Sequence, residues 1–132
     1  MWKAIVLLAA LLTIAASPNR YAEGQVWEYK VRPKDTGSLV KIQKIEESPR
    51  GPIYHISLIG IAGIGELQHA PVSQQTLDKS VIKQVSDPKT FPDATEGIAE
   101  RRKAQGGVFS ISLAEIADIV EQAIAKRQNP VS

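Results

Sequence analysis

The chain has 132 residues, with 16 lysines and arginines against 14 aspartates and glutamates, and no cysteine. Without cysteine there is no disulfide framework, thiol nucleophile, thiolate metal site or acylated lipoprotein cysteine. The small net charge of +2 gathers in neither half, so the basic patch that carries nucleic-acid affinity is missing and no nucleic-acid partner is expected.

The N-terminus has the order of a secretory signal peptide: Lys3 supplies a positive charge, and Ala4 to Ala16 is apolar apart from Thr13. That run falls short of the roughly 20 residues a helix needs to span a bilayer. The expectation is therefore a signal peptide over 1–16, cleaved after Ala16, with an uncleaved anchor as the alternative. A leader over 17–24, a single α+β domain over 25–127 and a frayed tail over 128–132 complete the organisation. The expected address is the periplasm or the medium, with no stable membrane insertion after cleavage.

Trp27, Tyr29 and Val31 alternate with Glu28, Lys30 and Arg32, the period of two that predicts a first strand over Gln25–Arg32. Lys34-Asp35-Thr36-Gly37 is turn chemistry. Leu39 to Glu46 predicts a second strand, in which Ile45 falls out of step with Val40 and Ile42 and points to a bulge near Gln43-Lys44. After a turn at Pro49-Arg50-Gly51, Ile53 to Ile59 predicts a third strand, giving an antiparallel meander.

Gly60, Gly63 and Gly65 loosen the chain. Beyond Pro71 a period near 3.6 places Leu77, Val81, Ile82 and Val85 on one face of a first helix, with Ser73 as N-cap. Pro88 and Pro92 end it. Asp93-Ala94-Thr95-Glu96 reads as a capping box opening a second helix to about Ala104, and Gly106-Gly107 closes that helix. Val108 to Ile111 predicts a short fourth strand. Ser112 with Glu115 is a further capping box, opening a final helix whose buried stripe includes Leu113, Ile116 and Val120 and which ends near Arg127. The fold expected is α+β in the order β-β-β-α-α-β-α, with an antiparallel sheet of three to four strands and helices on one face.

Candidate chemistry is sparse. Ser80-Val81-Ile82-Lys83 matches S-x-x-K, but the companion motifs of penicillin-recognising enzymes are only approximated by Ser86-Asp87-Pro88 and Lys89-Thr90-Phe91. Gly60 to Gly65 has the spacing G-x-x-G-x-G rather than that of a dinucleotide loop. Arg101-Arg102-Lys103 is expected as a solvated face late in its helix. His55 and His69 are the two imidazoles of the chain. Glu66 precedes His69 at E-x-x-H spacing, but metal-binding versions of that motif come in pairs and on helices, so no metal is expected. His69 falls just before the predicted first helix, whose positive end could help gather an anion.

Several segments carry a likeness in their order: Glu23-Gly24-Gln25-Val26-Trp27-Glu28-Tyr29, Gly37-Ser38 ahead of Ile42-x-Lys44-x-Glu46, Ile53-Tyr54-His55-Ile56-Ser57-Leu58, His69-x-Pro71-Val72-Ser73, and Gly107-Val108-Phe109 ahead of Glu115-Ile116. With these the chain resembles a family of small uncharacterised bacterial proteins, from Tyr21 onward. That family carries no established reaction or ligand, so the resemblance implies a fold and boundaries but transfers no site. An aromatic residue expected beside Glu96-Gly97 is missing, and the export segment is not typical of the family.

The function expected is that of a small exported, non-catalytic protein that binds a protein partner or a small anionic ligand, with His55 and His69 as ligand-binding residues and no cofactor. The alternative is a small hydrolase using His55 or His69 as general base.

Overall fold

The computed structural model describes residues 20–86, 89–104 and 106–128. The expected signal peptide, the start of the leader and most of the tail lie outside the described residues. No helix of the described residues is long and apolar enough to cross a membrane.

Strands β1 (Val26–Tyr29), β2 (Leu39–Glu46), β3 (Ile53–Ile61) and β4 (Gly65–Ser73) are followed by helix α1 (Gln74–Ser80), strand β5 (Val81–Val85), and helices α2 (Thr95–Ala104) and α3 (Leu113–Gln128). The sheet is antiparallel, α+β in class, and has five strands in the order β4-β3-β2-β1-β5. The expected three to four strands are thus too few.

The meander forms as the alternation dictates. Trp27 pairs with Val40, and Val40 with Leu58, and residues directly opposite in a ladder share a face. Trp27, Val40, Ile42, Tyr54, Ile56 and Leu58 accordingly form one core layer, closed by Leu77 of α1 and by Leu113 and Ile116 of α3. Fully burying each such aliphatic side chain contributes about 1.5–3 kcal/mol. The β2 bulge falls between Ile42 and Lys44, which returns Ile45 to the core side opposite Tyr54. Of the leader, Tyr21 is buried and stands edge-on to both Trp27 and Tyr54.

Three expectations are corrected. First, the glycine-rich stretch is a hairpin turn. Gly63 has φ +84°, a conformation that glycine adopts without strain, and β4 follows at the sheet edge. Pro71 is tolerated there because an edge strand can spare a donor.

Second, the predicted first helix stops at Ser80. Val81 to Val85 is extended and pairs with β1, Tyr29 against Val81 and Val26 against Val85. The run Val81-Ile82-Lys83-Gln84-Val85 fits either period, and the open edge of β1 decides between them. Ser73 does precede α1 but makes no side-chain cap bond. The expected fourth strand at 108–111 is reduced to a single parallel bridge, Phe109 beside Val72.

Third, the helices do not lie on one face. His55 and Ser57 point away from Tyr54, Ile56 and Leu58, yet both are fully buried, because Phe91 to α2 covers them. Gln43 Nε2 bonds both Ser57 Oγ at 3.1 Å and Pro92 O at 2.9 Å, Lys41 Nζ lies over the Phe91 ring, and α2 meets β4 at His69. The helix is opened by Asp93, whose Oδ1 accepts from Thr95 N at 2.9 Å and Thr95 Oγ1 at 2.7 Å, so it starts one residue later than the predicted box. The box at α3 forms reciprocally, Ser112 N to Glu115 Oε1 and Glu115 N to Ser112 Oγ, both at 3.1 Å.

Candidate functional site

His55 and His69, fourteen residues apart in sequence, are brought together by the pairing of β3 with β4. Ile56 pairs with Ala70 but Leu58 pairs with Leu67, so Gln68 and His69 together oppose Ser57. Pro71 pairs with His55 and the core-facing Ala70 with Ile56, so strand alternation alone sets His69 on the His55 side of the sheet; the bulge begins only beyond it, at Gln68. The two rings lie nearly parallel, with centroids 5.1 Å apart and an interplanar angle of 20°.

A chain of hydrogen bonds runs through them. Glu46 Oε1 is 2.8 Å from His55 Nε2, and His55 Nδ1 is 2.8 Å from His69 Nε2. An ionised carboxylate only accepts, which assigns the proton of His55 to Nε2. His55 Nδ1 then accepts from His69 Nε2–H, and the lone pair of the pair's last nitrogen, His69 Nδ1, faces α2. The backbone of α2 approaches closely there. A Cβ on Gly97 would lie 2.8 Å from His69 Nδ1 and 2.7 Å from its Cβ, so only glycine admits the ring.

The electrostatics agree with this assignment. The hydrogen bond from His55 and the nearby Arg102 and Arg101 hold the Glu46 carboxyl below its ordinary range. Burial pushes His55 down, against the opposing pull of Glu46. Burial first, then His55 and Arg101, lower His69 to about 4. At neutral pH the site thus holds one carboxylate and two neutral imidazoles.

Glu46 and Arg101 are the residues the sequence reading missed. Arg101 is not on a solvated face. Its side chain is only 16 % exposed and reaches toward Glu46, with Nη1 at 3.8 Å, beyond hydrogen-bond distance. Its Nε is buried and has no hydrogen-bond partner among the described residues. Arg102, at 49 % exposure, lies 3.7 Å from the same oxygen. No signal in the triplet Arg101-Arg102-Lys103 singles out its first member, whose role depends on how α2 docks.

Two grooves share Arg101, Gly106 and Gly107 as a common wall. The smaller, about 480 Å³, is also lined by His69 and Gly97. The larger, about 550 Å³, extends to the β2–β3 turn. His55 is fully buried with both ring nitrogens bonded, so any part it takes in binding is through Glu46 and His69. Ser57 is also buried and donates to Gln68 O at 2.7 Å, and Glu66 is exposed at the sheet edge. Among the described residues no group of three histidine or acidic side chains is arranged to hold a metal ion. The Ser80 hydroxyl accepts from Leu113 N at 3.0 Å, which gives it a structural task in seating α3, while Lys83 lies on exposed β5. No protein-family model matches the chain, and no curated protein or solved structure matches it significantly.

Proposed function

We propose that this is a small exported protein that binds rather than transforms, and that its ligand is a small anion seated against Arg101, on the wall common to the two grooves. The observation that carries this reading is the Arg101 guanidinium itself. It is largely desolvated, one of its nitrogens is buried without a hydrogen-bond partner among the described residues, and the carboxylate it reaches, 3.8 Å away, is already engaged by His55. A buried donor left unpaired is costly, and a guanidinium fork pairs best with a carboxylate or phosphate. Of the two ligand classes open to the sequence, a protein partner and a small anion, this favours the anion. The likeness to a family of small bacterial proteins belongs to the same reading and adds no site to it.

The hydrolase alternative narrows to His69, since His55 has no free nitrogen. A base at about pKa 4 is a weak proton acceptor at neutral pH, where catalytic bases are tuned near the working pH. Ser57, two residues from His55, donates its proton to Gln68 O.

The test is an NMR titration of the ¹⁵N-labelled protein with inorganic phosphate and with succinate. Binding moves the Arg101 Nε–Hε, Gly106 and Gly107 resonances, and Arg101→Met removes the response. Unmoved resonances at millimolar anion, or a response that survives in Arg101→Met, would overturn the reading. Export is checked by the mass of the protein recovered from its host: a chain beginning at Ser17 supports it, and a chain retaining Met1 in the cytoplasm refutes it.

A further inference from the structure

The larger groove has a composition that the anion reading does not require. Among the described residues its two charged lining residues are both arginines, Arg50 from the β2–β3 turn and Arg101 from α2, and no carboxylate lines it. An anion entering this concavity can meet the exposed Arg50 as well as Arg101, whose ion-pair carboxylate, Glu46 at 3.8 Å, is outside the lining and engaged by His55. Ser73 and Ser110 also line it, their hydroxyls 3.0 Å apart. That mutual bond uses one hydroxyl proton and leaves the other to donate. Apart from Ser48 the remaining side chains are apolar: Pro49 and Val108 line the groove and both are exposed. At about 550 Å³ the groove falls in the range of small-molecule sites, which combine apolar lining with a few placed polar groups.

We propose that this groove is the seat of a small amphiphilic organic anion, its phosphate or carboxylate head held between Arg50 and Arg101 and its apolar body lying on Pro49 and Val108. The proposal rests on the reading of Arg101 as a ligand contact and adds the second arginine, the serine pair and the apolar half of the ligand. A bare inorganic anion uses only the head of such a site.

The experiment compares four probes by NMR titration: phenyl phosphate, benzoate, inorganic phosphate and phenol. Phenyl phosphate or benzoate is expected to bind at least about tenfold more tightly than either inorganic phosphate or phenol, as one charge-assisted contact added to apolar burial provides. Whichever of the two binds better identifies the head group. Their shifts centre on Val108 and Ser110. Arg50 is exposed, so Arg50→Met keeps the unfolding midpoint and loses about tenfold in affinity. If anions bind but move His69 and Gly97 instead, or if Arg50→Met binds unchanged, this inference fails while the Arg101 reading stands. Phenol binding as tightly as phenyl phosphate overturns the anionic head. If no anion moves any resonance, both readings fall.

Discussion

His55 Nδ1 and His69 Nε2 lie 2.8 Å apart on adjacent strands, and with Glu46 bonded to the far side of His55 this contact orders the protons of the whole site. Burial holds each imidazole below its ordinary range, and the two cannot both be charged at that separation without strong repulsion. Their neutrality is therefore a property of the fold rather than of histidine.

The first consequence is a stability that falls in mild acid. His69 is lowered in the folded protein from an ordinary 6.5 to about 4. Between those values the unfolded chain binds a proton that the folded chain does not, so stability rises with pH across the window. The contribution is complete above about pH 6.5 and is lost as pH falls toward 4. Urea midpoints at pH 7 and pH 5 should show the drop, and His69→Gln should flatten it. A wild-type midpoint unchanged between the two would count against the hydrogen-bond chain described above.

Gly97→Ala is expected to destabilise, although alanine is the better helix former by about 1 kcal/mol. The added methyl would stand 2.7–2.8 Å from three atoms of His69, and overpacking of this kind costs about 1–3 kcal/mol. The double variant Gly97→Ala with His69→Ala should recover much of the loss in chemical denaturation. No recovery would place the strain elsewhere.

Asp35 and Asp118 both bind Arg32 but should behave differently. Asp35 is 1 % exposed, takes two bonds from the guanidinium and one from Ala62 N, while Asp118 is 56 % exposed. Removing one member of a buried pair costs about 3–5 kcal/mol. Because Arg32 retains Glu121 at 2.6 Å, Asp35→Ala should fall near the lower end, and Asp118→Ala below about 1 kcal/mol. Equal unfolding free energies for the two variants would contradict this ranking.

Tyr54→Phe offers a test with the opposite sign. Its hydroxyl is buried and has no hydrogen-bond partner among the described residues, so its removal should be neutral or stabilising by up to about 1 kcal/mol. Tyr29→Phe, by contrast, breaks a 2.7 Å bond to Ser38 Oγ and should cost about 1 kcal/mol. Thermal midpoints moving apart in those directions are the expected result.

What the sequence determined by itself is the part of the fold whose energetics are local. The alternation around Trp27 and Tyr29, the bulge after Ile42, the turn at Arg50-Gly51 and the Ser112–Glu115 box are each set by residues within a few positions of one another. The two histidines stood out because imidazole is rare in this chain. The fate of Val81 to Val85, the docking of α2 across His55, and the meeting of Glu46 with Arg101 were decided only by the tertiary structure. Each of these depends on a partner far along the chain: an open edge on β1, a polar sheet face needing cover, a carboxylate on β2. A sequence pattern records which face a side chain prefers, but not which distant element arrives to meet it.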